Sequence, residues 1–288
     1  SHEPPTTGTP VTRPIDPSTY PTWLRADDPV NLGAIDTRQR CDRHGERLKK
    51  SRGKELHAEN ISALRELQFK MYAEHDRALL VVFQAIDTGG KDGCIRKVFG
   101  PLNPQGVRTH AFKKPTQHEL EHDFLWRAHQ HTPRLGHVQV FNRSHYEDVL
   151  VARVHELVAE DVWRRRYEHI RNFESLLTGN KTLVVKFFLH ISREEQRERL
   201  QARIDDPTRR WKFSSADLGE RALWDDYQAA FTDAIRETNT ENAPWYVIPA
   251  DRKWYRNYTV SSILRELLSA QPMEWPEAED DIEGLVVQ

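Results

Sequence analysis

Cysteine is nearly absent from this chain: of 288 residues only Cys41 and Cys94 carry a thiol. Two thiols without ligand-like spacing exclude a disulfide framework, argue against a zinc site and suit a reducing cytoplasm. An excess of one charge is also missing. Lys and Arg number 42 against 44 Asp and Glu, a formal −2. No global basic field exists to gather nucleic acid, so any polyanion site has to be a local patch. No apolar run is long enough to cross a bilayer, and no charged-then-apolar leader is legible, so no membrane partner is expected. Ser1-His2 reads as a cloning remnant and is set aside. No internal repeat is found.

What is present fits a globular protein, with 30% charged and 38% hydrophobic residues. Residues 1–30 are rich in Pro and Thr, and 1–36 read as an extended or disordered arm, with Tyr20, Trp23 and Leu24 available to pack on the body. Residues 273–288 form an acidic tail. Between them, 37–272 read as one domain. Its first part, 37–77, spaces Leu48, Leu56, Ile61, Leu64, Leu67 and Met71 as an amphipathic helix.

An alternation follows. Strands are expected at 78–86, 107–112, 136–142, 182–191 and 245–250. Helices are expected at 93–99, 116–131, 146–177, 193–204, 218–238 and 253–270. Thr116 with Glu119 fits a capping box. Short apolar strands alternating with helices mean βαβ units, hence an α/β fold with a five-stranded, mainly parallel sheet covered on both faces. Ligands of such sheets sit at the carboxyl ends of the strands. Three loops fall there: 85–93, 113–116 and 142–148.

The first of them, "AIDTGGKDG", only half fits the common phosphate loop GxxxxGK[ST]. Ala85 stands where the first glycine belongs, and Asp92 where Ser or Thr normally holds magnesium. Gly90 and Lys91 fit, and Gly89 and Gly93 permit unusual backbone angles. Successive N–H groups ahead of a helix make an anion site whatever the lettering. Lys91 adds a point charge, and Asp87 a carboxylate for a hard cation that keeps several waters. For the isolated loop, a plain glycine turn with a solvated lysine is the competing reading.

A second signal is basic. Arginines recur at 193, 197, 199, 203, 209 and 210. Arg199 and Arg203 share one helix face. Glu194, Glu195 and Glu198 interleave with Arg193 and Arg197, which reads as a solvated face of weak ion pairs. Arg203, Arg209 and Arg210 flank the helix-breaking "DDPT", where a turn lets basic residues reach over a cleft. "RRR" at 164–166 either extends such a track or is a solvated face. Trp211 and Phe213 either stack on a base or pack as core of the lid, and the core reading is preferred. His118, His122, His129 and His131 are not taken as ligands.

Four segments in order, "AIDTGGKDG" (85–93), "FKKPTQHELEHDFLWR" (112–127), "FNRSHYEDVLV" (141–151) and "DPTRRWKFSSAD" (206–217), resemble the polyphosphate kinase 2 family across roughly residues 50–270. The resemblance implies a P-loop kinase-like three-layer α/β/α fold with a helical lid at about 193–217. It implies reversible phosphoryl transfer between inorganic polyphosphate and AMP, ADP or ATP, with Mg2+ (Mn2+ as an alternative). Carried onto this chain, it makes Asp87 the metal ligand and Asp87, Lys91 and Arg143 the catalytic set. Polyphosphate contacts would come from Gly89, Gly90, Asp92, Gly93, Arg203, Arg209, Arg210 and Lys212. Nucleotide contacts would come from Lys113, Lys114, Arg127, Asn142, Glu147 and Asp217. Asn142, where many members have aspartate, together with Glu147, resembles the class III subgroup acting on nucleoside mono- and diphosphates. A homo-oligomer is implied too. Two rival readings are an ATP-dependent nucleotide kinase on the same fold and a non-catalytic polyanion binder, the latter disfavoured by the −2 charge.

Overall fold

A computed structural model describes residues 14–278 and 286–287; the expected arm at 1–13 and the expected tail at 279–285 and 288 lie outside the described residues. Helix α1 (Lys50–Glu74) ends where His75 turns left-handed and returns its N–H to the Met71 carbonyl. Then β1 (Ala78–Gln84), α2 (Lys91–Val98) and β2 (Val107–Ala111) follow. Two one-turn helices, α3 (Gln117–Leu120) and α4 (Trp126–His129), precede β3 (Val138–Asn142). After β3 come α5 (Val151–Val154), α6 (Glu160–Gly179), β4 (Thr182–His190) and α7 (Arg193–Asp205). The chain closes with α8 (Ala216–Ala222), α9 (Trp224–Thr238), β5 (Trp245–Pro249) and α10 (Lys253–Ser269).

The five strands form one all-parallel sheet in the order β2-β3-β1-β4-β5. Every residue of β1, β4 and β5 is buried, as expected where helices cover both faces. One helical group contains α1, α2 and α10; the other contains α5, α6 and α9. From β1 the chain crosses to β2 on one side and later reaches β4 on the other. The loop after β1 therefore lies at the point where strand order reverses, the usual ligand crevice of open α/β sheets.

The described part of the arm packs as expected. Tyr20 is buried, and its hydroxyl accepts from the Val184 amide at 2.9 Å. Leu24 and Ala26 exchange backbone hydrogen bonds with Trp245 and Val247, so the arm covers the free edge of β5.

Three expected helices are corrected. The helix expected over 37–77 starts only at Lys50; ahead of it the chain turns back on itself, and Cys41 pairs with Arg47 in an isolated bridge. Residues 116–131 do not form one helix. The Thr116–Glu119 capping box is present, but it starts only a single turn. The Asp123 carboxylate then accepts the Leu125 and Trp126 amides and begins a second turn. Residues 146–177 also break: a 3-10 turn at His145–Asp148 leads to α5, Glu156 takes a positive φ, and α6 starts afresh with Glu160 and Asp161 in its first turn. Trp211 is a further correction. It is 77% exposed in the 3-10 turn after α7, with its indole N–H given to the Thr208 carbonyl, and is no part of a core.

Candidate active site

The loop after β1 is built as an anion cradle. Gly90 adopts φ +94° and caps α2, and a Cβ there would collide with the Arg256 guanidinium. Gly89 also has no room for a Cβ, because the Ala85 methyl occupies that space. Alanine is therefore tolerated in the first glycine's place as long as Gly89 stays bare. The Gly89 N–H is spent on the Ile86 carbonyl, and Cys94 begins the helical ladder by bonding to Gly90. The first-turn amides of α2, from Lys91 to Gly93, are left facing the crevice.

Lys91 is 8% exposed. Its ammonium donates to the Ala85 carbonyl at 3.3 Å and makes no ion pair among the described residues. Burial, and secondarily the neighbouring Arg143 charge, push its pKa down to about 8. Asp92 accepts a 2.7 Å hydrogen bond from the Asn142 amide at the end of β3. The position that lacks Ser or Thr thus ties the phosphate loop to its neighbouring strand.

Arg143 follows β3 in a left-handed conformation (φ 59°), with its N–H on the Phe83 carbonyl. That turn aims its guanidinium at Asp87 (2.7 Å) and, more loosely, Glu147 (3.5 Å). Behind them sits a buried clamp that was not foreseen. Gln84, the last residue of β1, donates to Glu147 at 2.9 Å and accepts from the Ser144 hydroxyl at 3.3 Å. Ser144 in turn caps the 3-10 turn at Tyr146. One amide thereby fixes both ends of the 143–147 loop.

Two cavities open from this point. The larger, about 910 Å³, is lined by the phosphate loop, α2, α7, the lid and the start of α10. Eleven basic residues face it against three acidic ones, although the chain as a whole is slightly acidic. The smaller, about 290 Å³, is walled by Ile86, Leu150, Val151, Ala216 and Phe231, with Glu147, Glu220, His155 and Tyr227 as its polar groups. Asp87, Arg143 and Asp217 line both. The Asp87 carboxylate is 30% exposed and accepts from Arg143 alone among the described side chains.

Most residues expected at the site converge there. Asp87, Gly89, Gly90, Lys91, Asp92, Gly93, Lys113, Asn142, Arg143, Arg203, Arg209, Lys212 and Asp217 line the basic cavity, and Glu147 the smaller one. Three lie outside both. Lys114 is exposed, and Arg210 turns back to the Ile204 carbonyl. Arg127 is buried over Phe112, held by the Lys113 carbonyl (2.9 Å) and Asp148 (3.5 Å). It supports the 112–116 loop and lines neither cavity. The "RRR" run also serves packing: Arg164 covers Trp163, and Arg166 lies over Phe124 with a bond to the Asp148 carbonyl.

The basic cavity has further walls that the sequence analysis did not place. Arg199 donates to the Thr88 carbonyl (2.9 Å) and the Ala250 carbonyl (2.7 Å), bracing the phosphate loop. Arg256 is 3% exposed beside Gly90 and Gly93. Lys253 joins it from the first turn of α10. The pairing of Arg199 with Arg203 on one face was the only signal for the first. The other two lie some 165 residues after the loop they support and carry no local motif.

A family model for polyphosphate kinase 2 (PPK2) matches residues 47–276, which span this whole arrangement. The chain belongs to the polyphosphate kinase 2 family. It is 56% identical over 225 residues to an AMP/ADP-polyphosphate phosphotransferase of Meiothermus ruber, covering 78% of this chain and 84% of that one. It is 45% identical over 235 residues to an ADP-polyphosphate phosphotransferase of Rhodopseudomonas palustris, covering 77% and 81%. The crystal structure of polyphosphate kinase 2 from Arthrobacter aurescens TC1 superposes with a TM-score of 0.87 at 43% identity, over 93% of this chain and 94% of that one. The fold shared over 93% of this chain is thus the frame on which the two cavities are built.

Proposed function

We propose that this chain transfers a phosphoryl group, reversibly and directly, between inorganic polyphosphate in the basic cavity and a nucleotide whose terminal phosphate enters from the smaller cavity. The observation that carries this reading is the meeting of two unlike cavities at Asp87 and Arg143. A polyanion fits only the cavity with eleven basic residues, whereas the smaller one, with four carboxylates and an apolar wall of Ile86, Leu150, Val151 and Phe231, repels a polyanion and suits a nucleoside with its hydrogen-bonding edges. AMP and ADP as acceptors rest on Asn142 and Glu147 and on the names of the relatives.

Such a reaction asks the protein for position and charge, not for a covalent intermediate. An acceptor phosphate oxygen attacks the terminal phosphorus in line, and the shortened polyphosphate leaves with the bridging oxygen. The α2 amides and the Lys91 ammonium hold the donor's oxygens. Arg143, already fixed by Asp87 and Glu147, lies where charge spreads on the migrating group. Arg203, Arg209 and Lys212 cover the polymer from the lid side.

Magnesium fits the residues present. Asp87 offers a hard oxygen with one protein partner. That suits an ion held by one carboxylate, waters and substrate phosphates, with Mn2+ as a substitute. Bound there, the ion would neutralise phosphate charge. Assembly as a homo-oligomer in the cytoplasm completes the reading.

The test is product analysis of AMP, ADP and GDP, each incubated with polyphosphate and Mg2+ without ATP. Conversion of AMP to ADP and ATP is expected. Turnover that requires ATP and ignores polyphosphate would favour an ordinary nucleotide kinase instead.

A further inference from the structure

Beyond the phosphate loop the basic lining does not stop. A groove of about 520 Å³ runs between the first turns of α1 and α10. Helix α1 contributes Lys50, Lys54 and His57, a single face at i, i+4 and i+7. Helix α2 contributes Lys97, and α10 contributes Lys253 and Trp254. Lys97, Lys253 and Asn257 also line the 910 Å³ cavity, so the two spaces are continuous through shared side chains.

The groove's charge is uncompensated. Among the described residues the lysines in ion pairs are Lys181 and Lys186, neither of them here. The one acidic residue lining the groove, Asp251, is already engaged by Thr37, by the Ser192 amide and hydroxyl, and by Arg38. Burial, with Arg199 and Arg256 nearby, disfavours the charge on Lys253, so an anion there would be welcome. Burial likewise lowers the His57 pKa, which leaves its ring as a hydrogen-bonding group.

The residue types differ along this path. Around the phosphate loop six of the eleven cations are arginines, whose forks fix phosphate geometry. In the groove they are lysines, mobile point charges that hold a polyanion without fixing its register. We propose that this lysine groove is a second subsite for the polyphosphate chain, holding the distal part of a long donor while its end is consumed at Lys91. The inference rests on the polyphosphate reading above. A polymer that reaches both spaces gains from linkage, because its second contact is intramolecular. Tripolyphosphate occupies only the first.

The experiment compares wild type with the double variant Lys50→Glu/Lys54→Glu on long-chain polyphosphate and on tripolyphosphate. Both lysines are exposed, Lys50 sits in the first turn of α1, where glutamate is favourable, and one like-charge pair at i, i+4 replaces another, so the variant folds. The KM for the long chain should rise on the order of tenfold, with kcat and the tripolyphosphate parameters unchanged. The slope of log(kcat/KM) against log[salt] for the long chain should shrink by about 1.5. A long-chain KM and salt slope equal to wild type, or an equal loss with tripolyphosphate, would overturn the subsite. Wild type inert on both lengths would instead overturn the polyphosphate reading itself.

Discussion

Lys186, in the middle of β4, and Lys91, at the start of α2, are both buried ammonium groups. Lys186 has a partner for each of its three protons: Glu174 at 2.6 Å, the Tyr146 hydroxyl at 3.0 Å and the Thr238 carbonyl at 2.8 Å. Tyr146 and Trp245 close over it. Lys91 has one carbonyl at 3.3 Å. A buried charge answered by the chain itself is part of the structure. One that keeps free donors beside a row of open amides is held for an anion the chain does not supply.

The largest effect should come from breaking the satisfied lysine. Lys186→Met leaves Glu174 charged and buried, and should cost about 3–5 kcal/mol in denaturant unfolding. Adding Glu174→Leu should recover most of that loss. The unsatisfied lysine should behave in the opposite way. Lys91→Met should leave the fold intact and lower kcat with polyphosphate about 10²–10³-fold. A smaller effect follows from its depressed pKa. The charged form is the one that binds phosphate, so kcat/KM should fall above about pH 8, with the limb in kcat moved to higher pH because bound phosphate favours the proton. A profile flat to pH 10 would contradict this. Smallest of all, Arg197→Ala should leave turnover unchanged and stability within about 0.5 kcal/mol, since Arg197 is exposed and paired only with Glu194.

The sheet was legible because its strands are short and bounded by loops and, apart from the polar, partly exposed edge strand β2, apolar; 78–86 overshoots β1 only where the chain enters the phosphate loop. Helix breaks were harder to see. Neither 116–131 nor 146–177 contains Gly or Pro, and the breaks come from Asp123 capping and from the backbone turn at Glu156. At the site, residues that follow strands could be placed by the carboxyl-end rule: Asp87, Lys91, Asn142 and Arg143. Arg256, Lys253 and Gln84 could not. The first two come from a distant helix, and Gln84 looks like one more strand residue until the 143–147 loop folds back on it.

Thermal melting of Lys91→Met and wild type, with and without polyphosphate, puts the contrast between the two lysines to its most direct trial. Burial lowers the folded-state pKa of Lys91 from 10.5 to about 8. The folded protein therefore carries a cost of up to about 3 kcal/mol, full below about pH 8 and relieved as pH climbs toward 10.5. At pH 7 without ligand the variant should melt higher than wild type and should gain less from added polyphosphate. A variant that melts lower than wild type, yet is stabilised by polyphosphate to the same extent, would show that Lys91 serves the fold and not the phosphate.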